Sequence, residues 1–485
     1  MNQFFKFHQP DLIRRTCQPL KMALVLPIVF GVACTKKREE PRKPNIIYIM
    51  ADDMGYNDLA CYGAPRIQTP NIDRMAAEGI RFTQHYAGTS VCAPSRSALM
   101  TGQHTGHTPV RGNLQWEPYG QYPLPENTVT VASVLKNAGY KTALIGKWGL
   151  GVEGTSGDPH NQGFDSYYGY LCQVLAHNHA PEYLMDNGKK VYTGNKVHYT
   201  DTSDWTKGLG SYPLEIKQFS QELFTNRALD FMEENCETPF FLYLSVIIPH
   251  DNGEAPEGKR YSDIPSFEPY EKNDWTESEK GYAAMIIYLD KEVGKILEKL
   301  KELGLDENTM VIFTSDNGGD APDSFYSECN QPFRGHKRDL YEGGIRVPFI
   351  ARWPGKIQSG TETNHVSAFW DFMPTVCDLA GVETPQVTDG ISYLPSFLGQ
   401  SQQQHDHLYF EFHEQGGKQA VIKDNWKLIR LNVKNPELTS VELYKLDTDI
   451  SEQNNLATEM PEKVAELLPL FQQNHVESPL FKLVP

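Results

Sequence analysis

The chain of 485 residues is longer than one ordinary domain, so we expect a large unit together with a smaller one. Its composition, 39% hydrophobic and 22% charged, is that of a globular protein and excludes extended disorder. The net charge of −17 argues against binding to nucleic acid or to an anionic membrane surface, and an anionic substrate would need locally gathered cations.

Residues 1–34 have the pattern of a signal peptide. Basic residues precede an apolar run from Met22 to Ala33 that is too short to span a bilayer. The run ends at Cys34 in the order Gly-Val-Ala-Cys, which resembles a bacterial lipoprotein signal, while a start of translation at Met22 stays open. We therefore expect a protein of the periplasm or cell surface, attached to a membrane only through a lipid on Cys34, with residues 35–44 as a solvated tether.

The first predicted strand of the mature chain ends in two carboxylates. Residues 45–51, NIIYIMA, form the continuous apolar run that is typical of a strand buried on both faces of a parallel sheet. Asp52 and Asp53 follow directly. Two adjacent carboxylates repel each other unless a cation or strong donors compensate, so the pair indicates a divalent metal.

A cysteine, a proline and an arginine lie at the start of a predicted helix, in the segment CAPSR. Pro94 suits a first helical turn, and Gly102 ends the helix. The positive end of the helix therefore lies at Cys92, where free backbone N–H groups and the Arg96 guanidinium would bind an oxyanion. The alternative is a buried cysteine on a loop that opens a helix.

Two further predicted strands end in basic groups. The strand 141–145 leads to Lys147, and the strand 240–248 leads to His250. Between them, the aromatic segment 167–184 carries His177, which fits a sugar-binding loop and fits a packed lid equally well.

A second pair of oxygen ligands follows the predicted strand 310–314, as Asp316 and Asn317. Ligands in α/β sheets collect beyond the carboxyl ends of the strands, so this pair and the first two aspartates can share one site. Ligation by oxygen atoms alone favours Ca²⁺ or Mg²⁺ over zinc.

The helices and the C-terminal segment complete an α/β prediction. Helices are expected at 130–138 and 277–303, the second with an apolar stripe for the core. From His407 to Leu431 the pattern predicts strands joined by a Gly-Gly turn, and a last strand and a final helix follow. We predict a domain at 45–365 and a C-terminal subdomain at 366–485 with a small antiparallel sheet. The eight cysteines have no C-x-x-C spacing, which argues against a cysteine metal site.

The segment CAPSR resembles the C-x-P-S-R signature of the type I sulfatases, and the other motifs occur in that family's order from residue 45 onward. The resemblance implies an alkaline-phosphatase-like sandwich, in which helices flank a large, mixed and mostly parallel sheet. It implies that a maturation enzyme oxidises Cys92 to Cα-formylglycine. The hydrated aldehyde is a geminal diol whose oxygen attacks the sulfur of a sulfate ester.

The same resemblance assigns the remaining site residues. Asp52, Asp53, Asp316 and Asn317 would bind one Ca²⁺ together with residue 92. Lys147 would bind sulfate, His250 would donate a proton to the leaving group, and Lys337, in the loop RGHK before EGGIRVP, would be the second sulfate-binding lysine. His177 is the expected substrate contact.

Two positions depart from the family pattern. Gly149 stands in GKWGLG where most members have the histidine that accepts the diol proton, and His104, His107 and His336 are the candidates to replace it. Gln103 stands where arginine is usual, which affects support for the helix of residue 92. The Gly149 form also occurs among bacterial carbohydrate sulfatases.

These residues predict a sulfatase that acts on a sulfated carbohydrate, with O4 of galactose or N-acetylgalactosamine as the expected position. A phosphodiesterase or phosphonate monoester hydrolase of the same superfamily is one alternative. A catalytically silent relative that binds sulfated glycans is the other.

Overall fold

The computed structural model describes residues 42–117, 119–200 and 210–483. The expected signal peptide, the lipid attachment at Cys34 and most of the tether lie outside the described residues. The described residues from Lys43 onward form one compact unit. Within the described ranges, no helix is both long and apolar enough to cross a bilayer.

Eighteen strands lie in the described residues, and most are short. In chain order their bounds are β1 Asn45–Ala51, β2 Ile80–Phe82, β3 His85–Tyr86, β4 Lys141–Lys147, β5 Ser166–Tyr170, β6 Tyr183–Asp186, β7 Lys189–Tyr192, β8 Lys196–Tyr199, β9 Ser211–Glu215, β10 Phe240–Ser245, β11 Thr309–Ser315, β12 Phe349–Arg352, β13 Thr361–Thr363, β14 Ser367–Ala368, β15 Leu408–Phe412, β16 Lys418–Lys423, β17 Trp426–Leu431 and β18 Ser440–Lys445.

Eleven α-helices accompany these strands in the described part of the chain. Their bounds are α1 Pro70–Ala77, α2 Cys92–Thr101, α3 Val131–Asn137, α4 Ser220–Glu234, α5 Glu277–Glu302, α6 Asp323–Tyr326, α7 Glu342–Ile345, α8 Phe372–Ala380, α9 Leu394–Phe397, α10 Pro461–Leu467 and α11 Pro469–Gln473.

The main sheet has ten strands in the order β13-β2-β12-β11-β1-β10-β4-β5-β6-β7. The four predicted apolar strands form its centre and pair in parallel, whereas the pairs at both sides are mostly antiparallel. Strand β1 is buried along its whole length, as its continuous apolar run predicts. The prediction of an α/β fold with a large mixed, mostly parallel sheet is confirmed.

The register of the central strands brings their carboxyl ends to one edge. Met50 of β1 lies opposite Ser245 of β10, and Ala51 lies opposite Ser315 of β11. Strand β10 is shorter than predicted, because the chain turns after Ser245 and the His250 N–H donates to the Ile247 carbonyl. The residues that follow β1, β4, β10 and β11 therefore meet at this edge.

Two helices keep their predicted starts through side-chain caps. Thr130 Oγ1 accepts from the Ser133 N–H before α3, and Thr276 Oγ1 accepts from the Glu279 N–H before α5. The apolar stripe of α5 is buried, as expected for a helix that packs on the sheet.

The C-terminal segment forms the predicted antiparallel sheet, in the order β15-β16-β17-β18. Gly416 and Gly417 have positive φ and connect β15 to β16, which confirms the predicted turn. Leu467 of α10 and Phe471 of α11 cover one face of the sheet. The six cysteines in the described ranges form no disulfide with one another.

Candidate active site

Cys92 is the first residue of α2 and is buried at the edge where the central strands end. Its Sγ donates to Asp52 Oδ1 at 3.6 Å. Burial raises the pKa of the thiol, and this effect exceeds the opposing attraction of Lys147. The unmodified cysteine therefore stays a neutral thiol and is a poor nucleophile.

The guanidinium of Arg96, one turn further along α2, is bound to protein acceptors. Its Nε and Nη2 donate to Asp316 Oδ2 at 3.1 and 2.8 Å, and its Nη1 donates to the Lys147 carbonyl and to Ser245 Oγ. These contacts tie α2 to the ends of three strands. Binding of the substrate oxyanion by the Arg96 fork stays a prediction.

The predicted oxygen ligands lie together. The Asp53 N–H donates to Asp316 Oδ1 at 3.2 Å, and Asn317 Nδ2 donates to Asp53 Oδ1 at 2.7 Å. Asp53 has a φ of 61°, so the turn after β1 holds a non-glycine residue in the left-handed region. Asn317 Oδ1 is buried and has no hydrogen-bond partner in the described structure.

This oxygen cluster fits a divalent cation. Burial and the nearby Asp52 raise the pKa of Asp316 above its ordinary value, which is the repulsion that a bound cation relieves. Asn317 Oδ1 accepts no hydrogen bond in the described structure, so this oxygen is available to a cation. Ligand atoms of Asp52, Asp53, Cys92 and His250 also lie within 4.8 Å of one another. Carboxylate and amide oxygens are the donors that Ca²⁺ prefers.

Two buried lysines complete the cluster. Lys147 Nζ donates to Asp52 Oδ2 at 2.6 Å, and Lys337 Nζ donates to Asp53 Oδ2 at 2.5 Å. Burial alone would lower the pKa of each ammonium, but the aspartates outweigh it and raise the pKa of both lysines. Both lysines are therefore charged where a bound anion would meet them.

His250 lies beside Lys337 and is neutral. Burial and the Lys337 charge lower the pKa of the imidazole well below its ordinary value. Its Nδ1 is 2.6 Å from the Asp251 carbonyl, and its Nε2 is 3.0 Å from Lys337 Nζ, so the contacts assign the proton to Nδ1 and an acceptor role to Nε2. In this state the charged donor is Lys337, and proton donation by a His250 imidazolium stays a prediction.

His177 lies at the partly exposed rim of the same site. Its ring stacks on that of His250 with centroids 4.8 Å apart, and its Nδ1 is 2.9 Å from Glu254 Oε2. The predicted substrate contact therefore lies beside His250 at the rim of the cluster.

The three candidate replacements for the missing base make other contacts. The rings of His104 and His107 are tilted against each other with centroids 4.2 Å apart, and His107 Nδ1 is 2.9 Å from Asp389 Oδ1. His336 stacks on Tyr326. The second departure from the family pattern, Gln103, leaves helix α2 at its predicted length. None of the three imidazoles contacts Cys92 in the described part of the chain, so the structure supports none of them as its base.

Sequence reasoning missed several residues at this site. Ser245 left a signal, because it is a polar residue inside an otherwise apolar strand, and it accepts from Arg96. Asn113 and Gln173 left none. They lie in loops, where Asn113 Oδ1 accepts from the Ala93 N–H and from Gln173 Nε2.

Comparison with known proteins identifies related chains. Residues 44–382 match a family model described as Sulfatase, and residues 334–474 match one described as N-sulphoglucosamine sulphohydrolase, C-terminal. The chain is 34% identical to arylsulfatase A of Homo sapiens over 406 residues, which covers 80% of this chain and 73% of the human protein.

A bacterial sulfatase and a solved structure with a bound carbohydrate are also similar to this chain. The chain is 29% identical to the N-acetylgalactosamine-6-O-sulfatase of Bacteroides thetaiotaomicron, over 92% of this chain and 98% of that protein. The crystal structure of Ps i-CgsB in complex with k-i-k-neocarrahexaose superposes with a TM-score of 0.71 at 27% identity, and the match covers 89% of this chain and 92% of that one.

Proposed function

Because the chain belongs to the sulfatase family and is a sulfuric ester hydrolase, we propose that it hydrolyses a sulfate ester on a carbohydrate, with Cα-formylglycine made from Cys92 as the nucleophile and Ca²⁺ as the metal. The observation that supports this function is the convergence of Cys92, four oxygen ligands and two charged lysines at one sheet edge. Ordinary cysteine chemistry does not fit, because the thiol is neutral and buried.

The two lysines stabilise the charge that develops in this reaction. A sulfate monoester carries one negative charge, and the departing alkoxide gains another as the S–O bond breaks. In this proposal Lys147, which is paired with Asp52, binds a sulfate oxygen, and Lys337, which lies beside His250, acts on the leaving-group side. Removal of one such buried donor typically costs about 2.7 to 4 kcal/mol of transition-state stabilisation.

Asp52, Asp53, Asp316 and Asn317 would hold the Ca²⁺ together with residue 92. The ion, when bound, polarises a sulfate oxygen and lowers the pKa of the attacking hydroxyl. Hydrated formylglycine supplies two hydroxyls, one that attacks sulfur and one whose later deprotonation expels sulfate. Arg96 donates to Asp316 and so holds this proposed metal ligand in place.

A sulfated hexose or N-acetylhexosamine is the proposed substrate. One relative is named an N-acetylgalactosamine-6-O-sulfatase and the structure of Ps i-CgsB holds neocarrahexaose, and His177 lies at the rim where the sugar would leave. The relative named for the 6-O position favours O6 of N-acetylgalactosamine over the O4 position expected from the sequence. Matched 4-O- and 6-O-sulfated sugars decide between the two positions.

The first test of the proposal is the mass of the peptide that contains residue 92, from active protein co-expressed with a maturation enzyme. We expect the mass loss that corresponds to replacement of the thiol by an aldehyde. The Cys92→Ser variant, produced in a host that modifies only cysteine, should fold and show no turnover. Full activity with an unmodified thiol would overturn the mechanism.

A panel of aryl esters separates the alternative functions. Sulfated and phosphorylated esters of the same aryl alcohol are compared with the modified protein. Preference for the phosphoester would support the phosphodiesterase or phosphonate hydrolase alternative. Binding of a sulfated sugar without turnover would support the silent relative.

We also propose that the protein is exported to the periplasm or cell surface and carries a lipid on Cys34. The apolar run before Cys34 supports this location. Mass analysis of the mature N-terminus should show a lipid-modified cysteine at residue 34, and a chain that keeps residues 1–33 would contradict it.

A further inference from the structure

The space beside Gly149 is filled by another side chain. Gly149 has a φ of 75°, and a Cβ atom on it would lie 2.8 Å from both Cγ and Nε2 of Gln173. These distances are shorter than real Cβ contacts, so a side chain at residue 149 and the side chain of Gln173 exclude each other. The segment after β4 and the segment after β5 run side by side here, since the Gly149 N–H donates to the Leu171 carbonyl.

Gln173 is buried and belongs to a chain of carboxamides that ends at the nucleophile's helix. Its N–H donates to Gln121 Oε1 at 2.7 Å, and its Nε2 lies 3.4 Å from Asn113 Oδ1. Asn113 Oδ1 also accepts from the Ala93 N–H at 3.2 Å. Ala93 follows Cys92 directly, so this series of hydrogen bonds ends one residue from the reacting group.

The start of α2 needs such a partner. Its N-cap residue, Val91, has no side chain that could accept a hydrogen bond, and the first amides of a helix have no intrahelical acceptor. Asn113 supplies that acceptor from a separate loop. Gln173 restrains Asn113 in turn and is itself packed on Gly149.

On the premise of the sulfate ester hydrolysis proposed above, we propose that Gln173 and Asn113 are positioning residues for residue 92, and that Gln173 takes the space of the absent side chain at residue 149. A carboxamide donates and accepts hydrogen bonds but does not titrate near neutral pH. Gln173 therefore fixes the orientation of the attacking group without serving as its base.

Turnover by Gln173→Ala tests the positioning role. We expect kcat to fall about tenfold, the contribution of one hydrogen bond of this kind, with KM within twofold of the parent. Gln173→His should recover part of kcat, because an imidazole N–H can donate to Asn113 Oδ1 in place of the carboxamide. Parent-like kcat in Gln173→Ala would overturn the inference and leave the proposed function intact.

The packing claim has a readout that does not need turnover. Gly149→Ala should lower the Tm more than Gly154→Ala, because both glycines have positive φ but a Cβ atom on Gly154 meets nothing within 4 Å. In the Gln173→Ala background this difference should vanish. Equal losses in Gly149→Ala and Gly154→Ala would overturn the packing claim. Absence of turnover in the parent on every sulfate ester would instead overturn the proposed function, and the Tm comparison would still decide the packing.

Discussion

Two buried lysines in this protein have similar neighbours and different tasks. Lys147, after β4, donates to Asp52 at the edge of the main sheet. Lys427, on β17 of the C-terminal sheet, lies 2.9 Å from Glu342 Oε1 and 3.0 Å from Glu452 Oε1. Each ammonium is almost fully removed from solvent and is paired with a carboxylate.

The difference between them lies in what surrounds the pair. Glu342 also accepts from Tyr86 and Arg346, so the charges around Lys427 are shared among protein groups that join the two sheets. Around Lys147, several cations and aspartates crowd together and the Asn317 oxygen has no partner. A buried ion pair therefore does not identify a functional site by itself. Lys147 differs from Lys427 because Cys92 and the oxygen atoms that follow the parallel strands lie beside its pair.

The largest expected effect is on stability, at Lys427. Lys427→Met leaves Glu452 buried without its cation and Glu342 with Arg346 alone, and the free energy of unfolding should fall by about 3 to 5 kcal/mol. Urea unfolding measures the loss, and turnover of the folded variant at low temperature should stay within twofold of the parent. Loss of turnover in folded Lys427→Met would show that the ion pairs of Lys427 also support the active site.

Lys147→Met should lose turnover and keep most of its stability. Arg96 remains near Asp52, at 3.5 Å, so the variant should fold. Its kcat/KM should fall about 100- to 1,000-fold, as expected for loss of one buried donor to the transition state. Steady-state kinetics on an aryl sulfate measures this loss, and parent-like kcat/KM would remove Lys147 from the site.

The stability that is gained when Ca²⁺ binds should distinguish the cluster around Lys147 from the cluster around Lys427. Ca²⁺ at a hundred times its Kd should stabilise the parent by about 2.7 kcal/mol. Lys427→Met should keep this increment, because its cluster has no part in the metal site. Asn317→Ala should lose most of it, since Asn317 supplies the unpaired oxygen. Thermal unfolding with Ca²⁺ and with a chelator gives both values, and an equal increment in Asn317→Ala would contradict the ligand assignment.

The smallest effect concerns the pH dependence of stability at Glu452. Burial raises the pKa of Glu452 to about 7 and Glu342 adds to the rise, although Lys427 opposes it. Between the ordinary glutamate pKa and about 7, the folded state keeps a proton that the unfolded state releases, so stability should fall as the pH rises. Glu452→Gln should make this fall shallower in Tm measurements across that range. An unchanged slope would contradict the raised pKa.

Much of the fold could be predicted because its signals are local. The apolar run before Asp52 and the capped pattern of α5 each carry their periodicity within a few residues. The strand after residue 240 was overestimated in length because apolar residues continue past Ser245 into a turn. The domain boundary at residue 366 stays a prediction, since both sheets lie in one compact unit.

The sequence by itself determined that the polar residues after the parallel strands meet at the active site. Asp52, Lys147 and Asp316 follow parallel strands, and parallel strands present their carboxyl ends at one edge whatever the loops do. Cys92 was found through its place at the start of a helix.

Only the tertiary structure decided how these groups share their charges and what fills the remaining space. Arg96 binds Asp316, Gln173 occupies the space beside Gly149, and Lys427 joins the two sheets. Such contacts connect residues far apart in the chain, often through loops. Loop side chains have no periodicity that fixes their direction, so their partners are set by packing after the sheets have formed.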